Sequence, residues 1–148
     1  MKLKEGQLGD IFQCFIHQLS KDVLNADYYE TYREALEAIT VKLSGKQLDN
    51  AFNYFIIDEY ADLLKEIAQR LDEKQINIAL NCCMDKLNDK NKHQNICIKY
   101  IQLLEIISNK CNEQQLNEAF NSSMDIFIDK NDNAYVRGGC AKLLGIIA

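Results

Sequence analysis

Apolar residues recur in the last third of the chain at three- and four-residue steps, which is the spacing of one face of an α-helix. A first stripe is formed by Leu116, Ala119, Phe120, Met124 and Phe127. A polar run over 129–133 ends this helix. A second stripe follows, formed by Val136, Cys140, Leu143, Leu144 and Ile147. The pattern therefore predicts two helices joined by a short polar turn.

The same pattern occurs 40 residues earlier in the chain. Leu103-Leu104-Glu105-Ile106-Ile107 returns as Leu143-Leu144-Gly145-Ile146-Ile147, and Met84-Asp85 returns as Met124-Asp125. One such helix pair cannot bury its apolar stripe alone, whereas stacked copies can. The sequence therefore predicts an array of two-helix repeats.

The repeat extends to the N-terminus, although the second copy is 12 residues shorter than the others. It divides the chain into units at about 5–44, 45–72, 73–112 and 113–148. We predict an all-α fold in one domain over residues 1–148. Its architecture is predicted to be an α-solenoid of about four stacked helix pairs.

A glutamine stands three residues after a cap-forming residue at the start of the last three units. The pairs are Ser44 with Gln47, Asp72 with Gln75, and Asn112 with Gln115. In this spacing the first side chain accepts from the third helical amide, and the glutamine accepts from the amide of the cap residue. The pattern predicts helices that begin at residues 45, 73 and 113.

Unit two leaves two alternatives open, because apolar residues continue at helical spacing from Leu48 to Leu71 without a break. One alternative is a single helix over 46–71, about 39 Å long. The other is two short helices separated by a tight turn at Ile57-Asp58-Glu59. The single long helix is our preferred prediction.

The period and the two helices per unit resemble HEAT or armadillo-type repeats. The likeness to HEAT repeats is clearest in unit four, which has Asp129 in the turn between its helices and Val136-Arg137 at the start of the second. The resemblance implies that Asp129 and Arg137 support neighbouring repeats through a ladder of hydrogen bonds. In unit three Cys97 replaces the arginine. We therefore expect no ladder through the whole array.

Composition and charge favour a helical, cytoplasmic protein. The 148 residues include no proline, which breaks helix interiors. The net charge is −5 and lysines alternate with acids, so no basic face for nucleic acid is expected. The run Met1-Lys2-Leu3-Lys4-Glu5 becomes polar too early for a secretory signal. No uncharged stretch approaches the length of a membrane span.

The sequence carries no pattern that points to catalysis. Six cysteines stand at Cys14, Cys82, Cys83, Cys97, Cys111 and Cys140. None forms a Cys-x-x-Cys pair, and neither histidine lies at ligand spacing from them, so we predict buried thiols in a reducing compartment and no metal or cofactor. Nucleotide loops and serine elbows are absent. We expect no enzyme; a cysteine-dependent enzyme that uses Cys82 or Cys83 is the alternative.

In HEAT arrays the second helices line a concave face on which partners lie. The resemblance implies a partner-binding face built from Glu30, Arg33, Glu34, Glu37, Lys99, Gln102, Glu105 and Lys142. The helix from Ile96 to Ile107 is almost wholly apolar. It is either a central helix flanked on both sides or an apolar groove for a partner helix.

These observations predict a non-catalytic scaffold that binds another protein. The alternatives are an architectural segment of a larger protein and a DNA-binding helical-repeat protein. The last helix has no following repeat after Leu144, Ile147 and Ala148. Either the chain is a fragment of a longer array, or this open helix packs against another chain, which includes self-association.

Overall fold

The computed structural model describes residues 3–21, 26–57, 61–89 and 91–148. Over these residues it has eight α-helices, one short 3-10 helix at Ser108–Lys110 and no strand. The helices are α1 (Glu5–Lys21), α2 (Ala26–Thr40), α3 (Gly45–Ile57), α4 (Ala61–Arg70), α5 (Glu73–Asn88), α6 (Gln94–Ile107), α7 (Glu113–Ile128) and α8 (Ala134–Ile147). The prediction of an all-α fold is confirmed.

Each predicted unit contains two helices, and the two pack against each other: α1 on α2, α3 on α4, α5 on α6 and α7 on α8. Among the first helices, α3 contacts α5 and α5 contacts α7. Among the second helices, α2 contacts α4, α4 contacts α6 and α6 contacts α8. The largest fully buried side chains include Leu36, Leu48, Phe52, Phe55, Leu63, Leu80, Leu87 and Tyr100. The winding of these pairs into a solenoid stays a prediction.

Unit two contains two helices, so the prediction of one helix over 46–71 is wrong. The helix α3 ends at Ile57, α4 begins at Ala61, and the two contact each other side by side. The turn suggested at Ile57-Asp58-Glu59 falls on residues 58–60, which lie outside the described residues. Both helices pack on α6. Each helix therefore needs an apolar stripe. The stripe of α4 continues the three- and four-residue spacing of the stripe of α3, so the sequence pattern shows no break between the two helices.

Two of the three predicted capping boxes are confirmed. At the start of α5, Asp72 Oδ1 accepts from the Gln75 amide at 2.8 Å, and Gln75 Oε1 accepts from the Asp72 amide at 3.0 Å. At the start of α7, Asn112 and Gln115 make the same two bonds, both at 2.9 Å. These boxes satisfy amide groups that have no partner within the helix.

The third predicted box, at Ser44, is wrong. The Ser44 hydroxyl donates to Glu5 Oε1 at 2.9 Å instead, and the buried Gln47 Oε1 has no hydrogen-bond partner among the described residues. The side chain of Gln47 lies against α1, where a Cβ added at Gly9 would collide with its amide. Gly45 has φ +54°. The chain thus enters α3 in a left-handed conformation that glycine permits and that the other two helix starts lack.

We expect the caps to differ in stability for this reason. Asp72→Ala and Asn112→Ala should each lower the free energy of unfolding by about 1 kcal/mol, because each leaves a helix amide unpaired. Ser44→Ala should cost less than about 0.5 kcal/mol, as is usual for an exposed side chain that caps nothing. Urea denaturation followed by circular dichroism measures all three. Equal losses for Ser44→Ala and Asp72→Ala would contradict the assignment.

Polar contacts between neighbouring helix pairs recur at a separation of about one repeat. Ser44 donates to Glu5 across 39 residues, and Asn112 Nδ2 donates to Glu73 Oε1 at 3.3 Å, again across 39. Two further contacts join the turns of units three and four. They are Lys92 Nζ to Asp132 Oδ2 at 2.6 Å and Asn133 Nδ2 to Gln94 Oε1 at 3.0 Å.

The two residues to which the HEAT resemblance assigns such a ladder make local bonds. Asp129 Oδ1 accepts from the Asn131 amide at 2.9 Å, and Arg137 Nε donates to the Phe127 carbonyl at 2.9 Å. Both bonds lie within unit four. Among the described residues, the contacts between these helix pairs are made by side chains near Asp129 and Arg137 instead.

Candidate functional site

The residues predicted to bind a partner all lie on the layer of second helices. Four are on α2, three on α6 and one on α8. The exposed members are Glu30, Glu34, Gln102 and Lys142. The half-buried members are Arg33, Glu37, Lys99 and Glu105. Half of the predicted residues are therefore exposed and half are partly covered by neighbouring helices.

Two of the α2 residues pair with α4. Arg33 Nη2 lies 3.7 Å from Glu66 Oε2, and Glu37 Oε1 lies 3.1 Å from Arg70 Nη1. The Arg33 side chain is only 18% exposed, and its Nε has no hydrogen-bond partner among the described residues. Glu66 and Arg70 were missed by the sequence analysis, because one continuous helix through unit two would not place them beside α2.

A third ion pair joins α6 to α8. Glu105 Oε2 lies 3.5 Å from Lys142 Nζ, and the lysine side chain is 70% exposed. The two helices approach closely at Gly139, where an added Cβ would lie 2.9 Å from Ile101 Cδ1. Exposed pairs of this kind contribute about 0–1 kcal/mol each. They therefore contribute little to the stability of the fold.

A shallow apolar groove, whose walls are mostly buried residues, lies where α3, α4 and α6 meet. Its walls are Phe55, Ile56, Leu64, Leu103 and Ile106, with Lys99 and Gln102 on the same surface. The cavity measures about 240 Å³, below the range of about 300–1,000 Å³ typical of small-molecule sites. A cavity of this size has room for one or two apolar side chains. Of the predicted residues, the structure brings only Lys99 and Gln102 to this groove.

The apolar helix α6 has features of both alternatives predicted from its sequence, a central helix flanked by neighbours and a helix that lines an apolar groove. It contacts α4 on one side and α8 on the other, and it packs on α5, as a central helix does. Its surface toward α4 also lines the groove through Leu103 and Ile106. Leu103 is buried and Ile106 is half-buried, so central burial coexists with a small apolar edge at Ile106.

Most of the cysteine thiols are buried. Cys82, Cys83, Cys97 and Cys140 are buried, Cys111 is half-buried and Cys14 is exposed. The prediction of buried thiols is confirmed for the first four and wrong for Cys14. Burial raises the pKa of Cys140 to about 11 and that of Cys83 well above its usual value. A thiol held in its protonated form is a poor nucleophile.

Cys82 belongs to a small polar cluster in the core. Its sulfur lies 3.7 Å from Asn53 Oδ1, which also accepts from the Tyr100 hydroxyl. Burial raises the pKa of both Cys82 and Tyr100. The cluster satisfies buried polar atoms where α3, α5 and α6 meet, so it has a structural explanation.

No group of His, Cys, Asp and Glu side chains within the described ranges could hold a metal ion. Over the same ranges, no helix has the length and apolar character needed to cross a membrane. Comparison with protein-family models, curated proteins and solved structures gives no match to this chain. The HEAT resemblance and the protein partner therefore stay predictions.

Proposed function

We propose that this protein is a non-catalytic scaffold, a HEAT-like α-solenoid that binds another protein on the layer formed by its second helices. The observation that carries the proposal is the apolar groove between α4 and α6. Support also comes from the succession of contacts α2–α4, α4–α6 and α6–α8, which resembles the stacking of solenoid repeats. A cytoplasmic location is part of the proposal, since free cysteines are typical of a reducing compartment.

The proposed ligand is an amphipathic segment with an apolar anchor residue. Burying one Leu or Phe side chain in the groove contributes roughly 1.5–3 kcal/mol. A micromolar complex needs about 8 kcal/mol, so the anchor alone is too weak. The remainder has to come from contacts along the neighbouring helices, where Glu66 and Arg70 are exposed. Because these two charges are already paired with Arg33 and Glu37, this surface favours neither a purely basic nor a purely acidic partner.

A display library of amphipathic helical peptides tests this proposal directly. We expect selected peptides to share an apolar anchor and to bind with micromolar affinity in calorimetry. Ile106→Lys places a charge at the wall of the groove and should weaken binding by about tenfold or more. Gln102→Ala, on the same surface, should weaken it by less.

Asn81→Lys and Asn121→Lys provide the matched controls. Both asparagines are exposed on the first helices, on α5 and α7, away from the groove. These variants add the same charge and should bind the peptides as the wild type does. Peptides that bind Ile106→Lys and the wild type equally well would refute the groove as the binding site, and a library without binders would refute the proposed ligand.

A further inference from the structure

The last helix pair exposes apolar residues whose counterparts one repeat earlier are buried. Phe120 and Phe127 on α7 are 37% and 38% exposed. The residues 40 positions before them, Leu80 and Leu87 on α5, are both 0% exposed. The helices α5 and α6 are covered by α7 and α8. We call the surface of α7 and α8 that includes Phe120 and Phe127 the open face. The equivalent surface of α5 and α6 is covered by the next helix pair.

Residues on both helices extend this open face. Leu116, Leu144 and Ile147 are half-buried, whereas their counterparts Ile76, Leu104 and Ile107 are at most 2% exposed. Two other apolar residues of unit four do not belong to it. Ile128 and Tyr135 are 61% and 70% exposed, but their counterparts Asn88 and Asn95 are exposed as well. The open face thus contains only those apolar residues of unit four whose equivalents in unit three are buried.

A polar contact between helix pairs indicates that a partner bound to the open face needs a hydrogen-bond donor near Glu113. At two of the three junctions between helix pairs, the residue before the new helix donates to a glutamate that begins the first helix of the preceding pair: Ser44 to Glu5, and Asn112 to Glu73. At the third junction these positions hold Asp72 and Gly45, which do not make this contact. Glu113 begins α7 and holds the same position in unit four. Among the described residues, no side chain donates to Glu113. A donor placed before a first helix of the same type would complete the contact.

The other end of the chain offers such a donor. Lys4 precedes α1 as Ser44 precedes α3 and Asn112 precedes α7, and its amide donates to Gln7 Oε1 at 2.9 Å, as in the capping boxes. Ile11 and Phe15 on α1 are half-buried. The equivalent residues of α3, Ala51 and Phe55, are fully buried.

We infer that the open face of α7 and α8 binds the α1–α2 end of a second copy of this chain. In this head-to-tail contact, Lys4 of the second copy lies beside Glu113 of the first, where a positive charge meets a negative one. The face is separate from the groove of the proposed function. After one head-to-tail contact, each of the two copies still has one free end. Further copies can therefore add to form an open filament, unless the rotation between successive copies closes the assembly into a ring.

Sedimentation equilibrium of the full chain over a wide concentration range measures this association. We expect an average mass that rises above 17.1 kDa with concentration and does not level off at two copies. Phe120→Asp should lower the association constant by about tenfold or more, because it charges the centre of the face. Tyr135→Asp is the control; it is more exposed, lies off the face, and should change the constant by less than about twofold.

Exchanging the charges of Lys4 and Glu113 distinguishes a head-to-tail contact from a contact between two identical open faces. Glu113→Lys and Lys4→Glu should each weaken association by about threefold, and the variant with both changes should regain it. A contact between two identical open faces brings no Lys4 to Glu113, so the double variant would stay weak. A mass fixed at 17.1 kDa, a plateau at two copies, or an unrestored double variant would each overturn the inference. Ile106→Lys should leave association unchanged, which separates this test from that of the groove.

Discussion

Leu80→Ala should lower the free energy of unfolding by about 2–5 kcal/mol, whereas Phe120→Ala at the same position of the next repeat should cost about 1–2 kcal/mol. Leu80 is completely buried, so its truncation loses apolar burial and leaves a cavity that its neighbours fill only in part. Phe120 is the larger residue, but 37% of it is already exposed. The smaller side chain should therefore have the larger effect.

Urea denaturation at low micromolar concentration gives both values, since dilution keeps self-association out of the comparison. Leu87→Ala and Phe127→Ala form a second matched pair, at 0% and 38% exposure. If Phe120→Ala costs as much as Leu80→Ala under these conditions, the outer surface of α7 is covered in solution. The account of an open face would then be wrong.

Lys92→Met should lower the free energy of unfolding by about 2–3 kcal/mol, because it leaves the Asp132 carboxylate without its cation. The two side chains are 18% and 10% exposed, and their charged atoms lie 2.6 Å apart. The ammonium also donates to the Leu87 carbonyl at the end of α5, at 2.9 Å. This single lysine thus joins the end of one helix to the turn of the next helix pair.

A double-mutant cycle with Asp132→Asn isolates the pair. The asparagine removes the charge but keeps the oxygen that accepts from the Asn133 amide at 2.8 Å. We expect the double variant to lose at least about 1 kcal/mol less than the sum of the single losses. Lys142→Met is the surface control; its partner is Glu105, it is 70% exposed, and it should cost less than about 0.5 kcal/mol. An additive cycle would show that Lys92 and Asp132 do not interact in solution.

Much of the helical structure could be predicted from the sequence. The helix starts at Glu73 and Glu113 follow from capping boxes, in which the bonded groups are three residues apart. Ser44 has the same spacing to Gln47, yet its box does not form. Here the chain enters α3 through Gly45 at φ +54°, and the side chain of Gln47 lies against α1. A local motif therefore predicts correctly only where the backbone and the packing around it leave the local geometry intact.

The candidate site was predictable in part. The layer of second helices was chosen by resemblance, and Lys99 and Gln102 do lie at an apolar groove on it. The walls contributed by Phe55, Ile56 and Leu64 were not foreseen. They come from α3 and α4, which the preferred prediction merged into one helix. A groove between helices depends on how three of them meet, and periodicity along one stripe carries no such information.

The sequence by itself determined the helical repeat, because helix periodicity and capping act over a few residues and recur in each copy. Only the tertiary structure decided where unit two folds back, which partners Arg33, Glu37 and Lys92 meet, and which apolar positions are covered. Leu80 and Phe120 are an example, since they occupy equivalent positions of two repeats but differ in exposure. The difference arises because burial depends on the neighbouring helix pair, which the residues around each position do not specify.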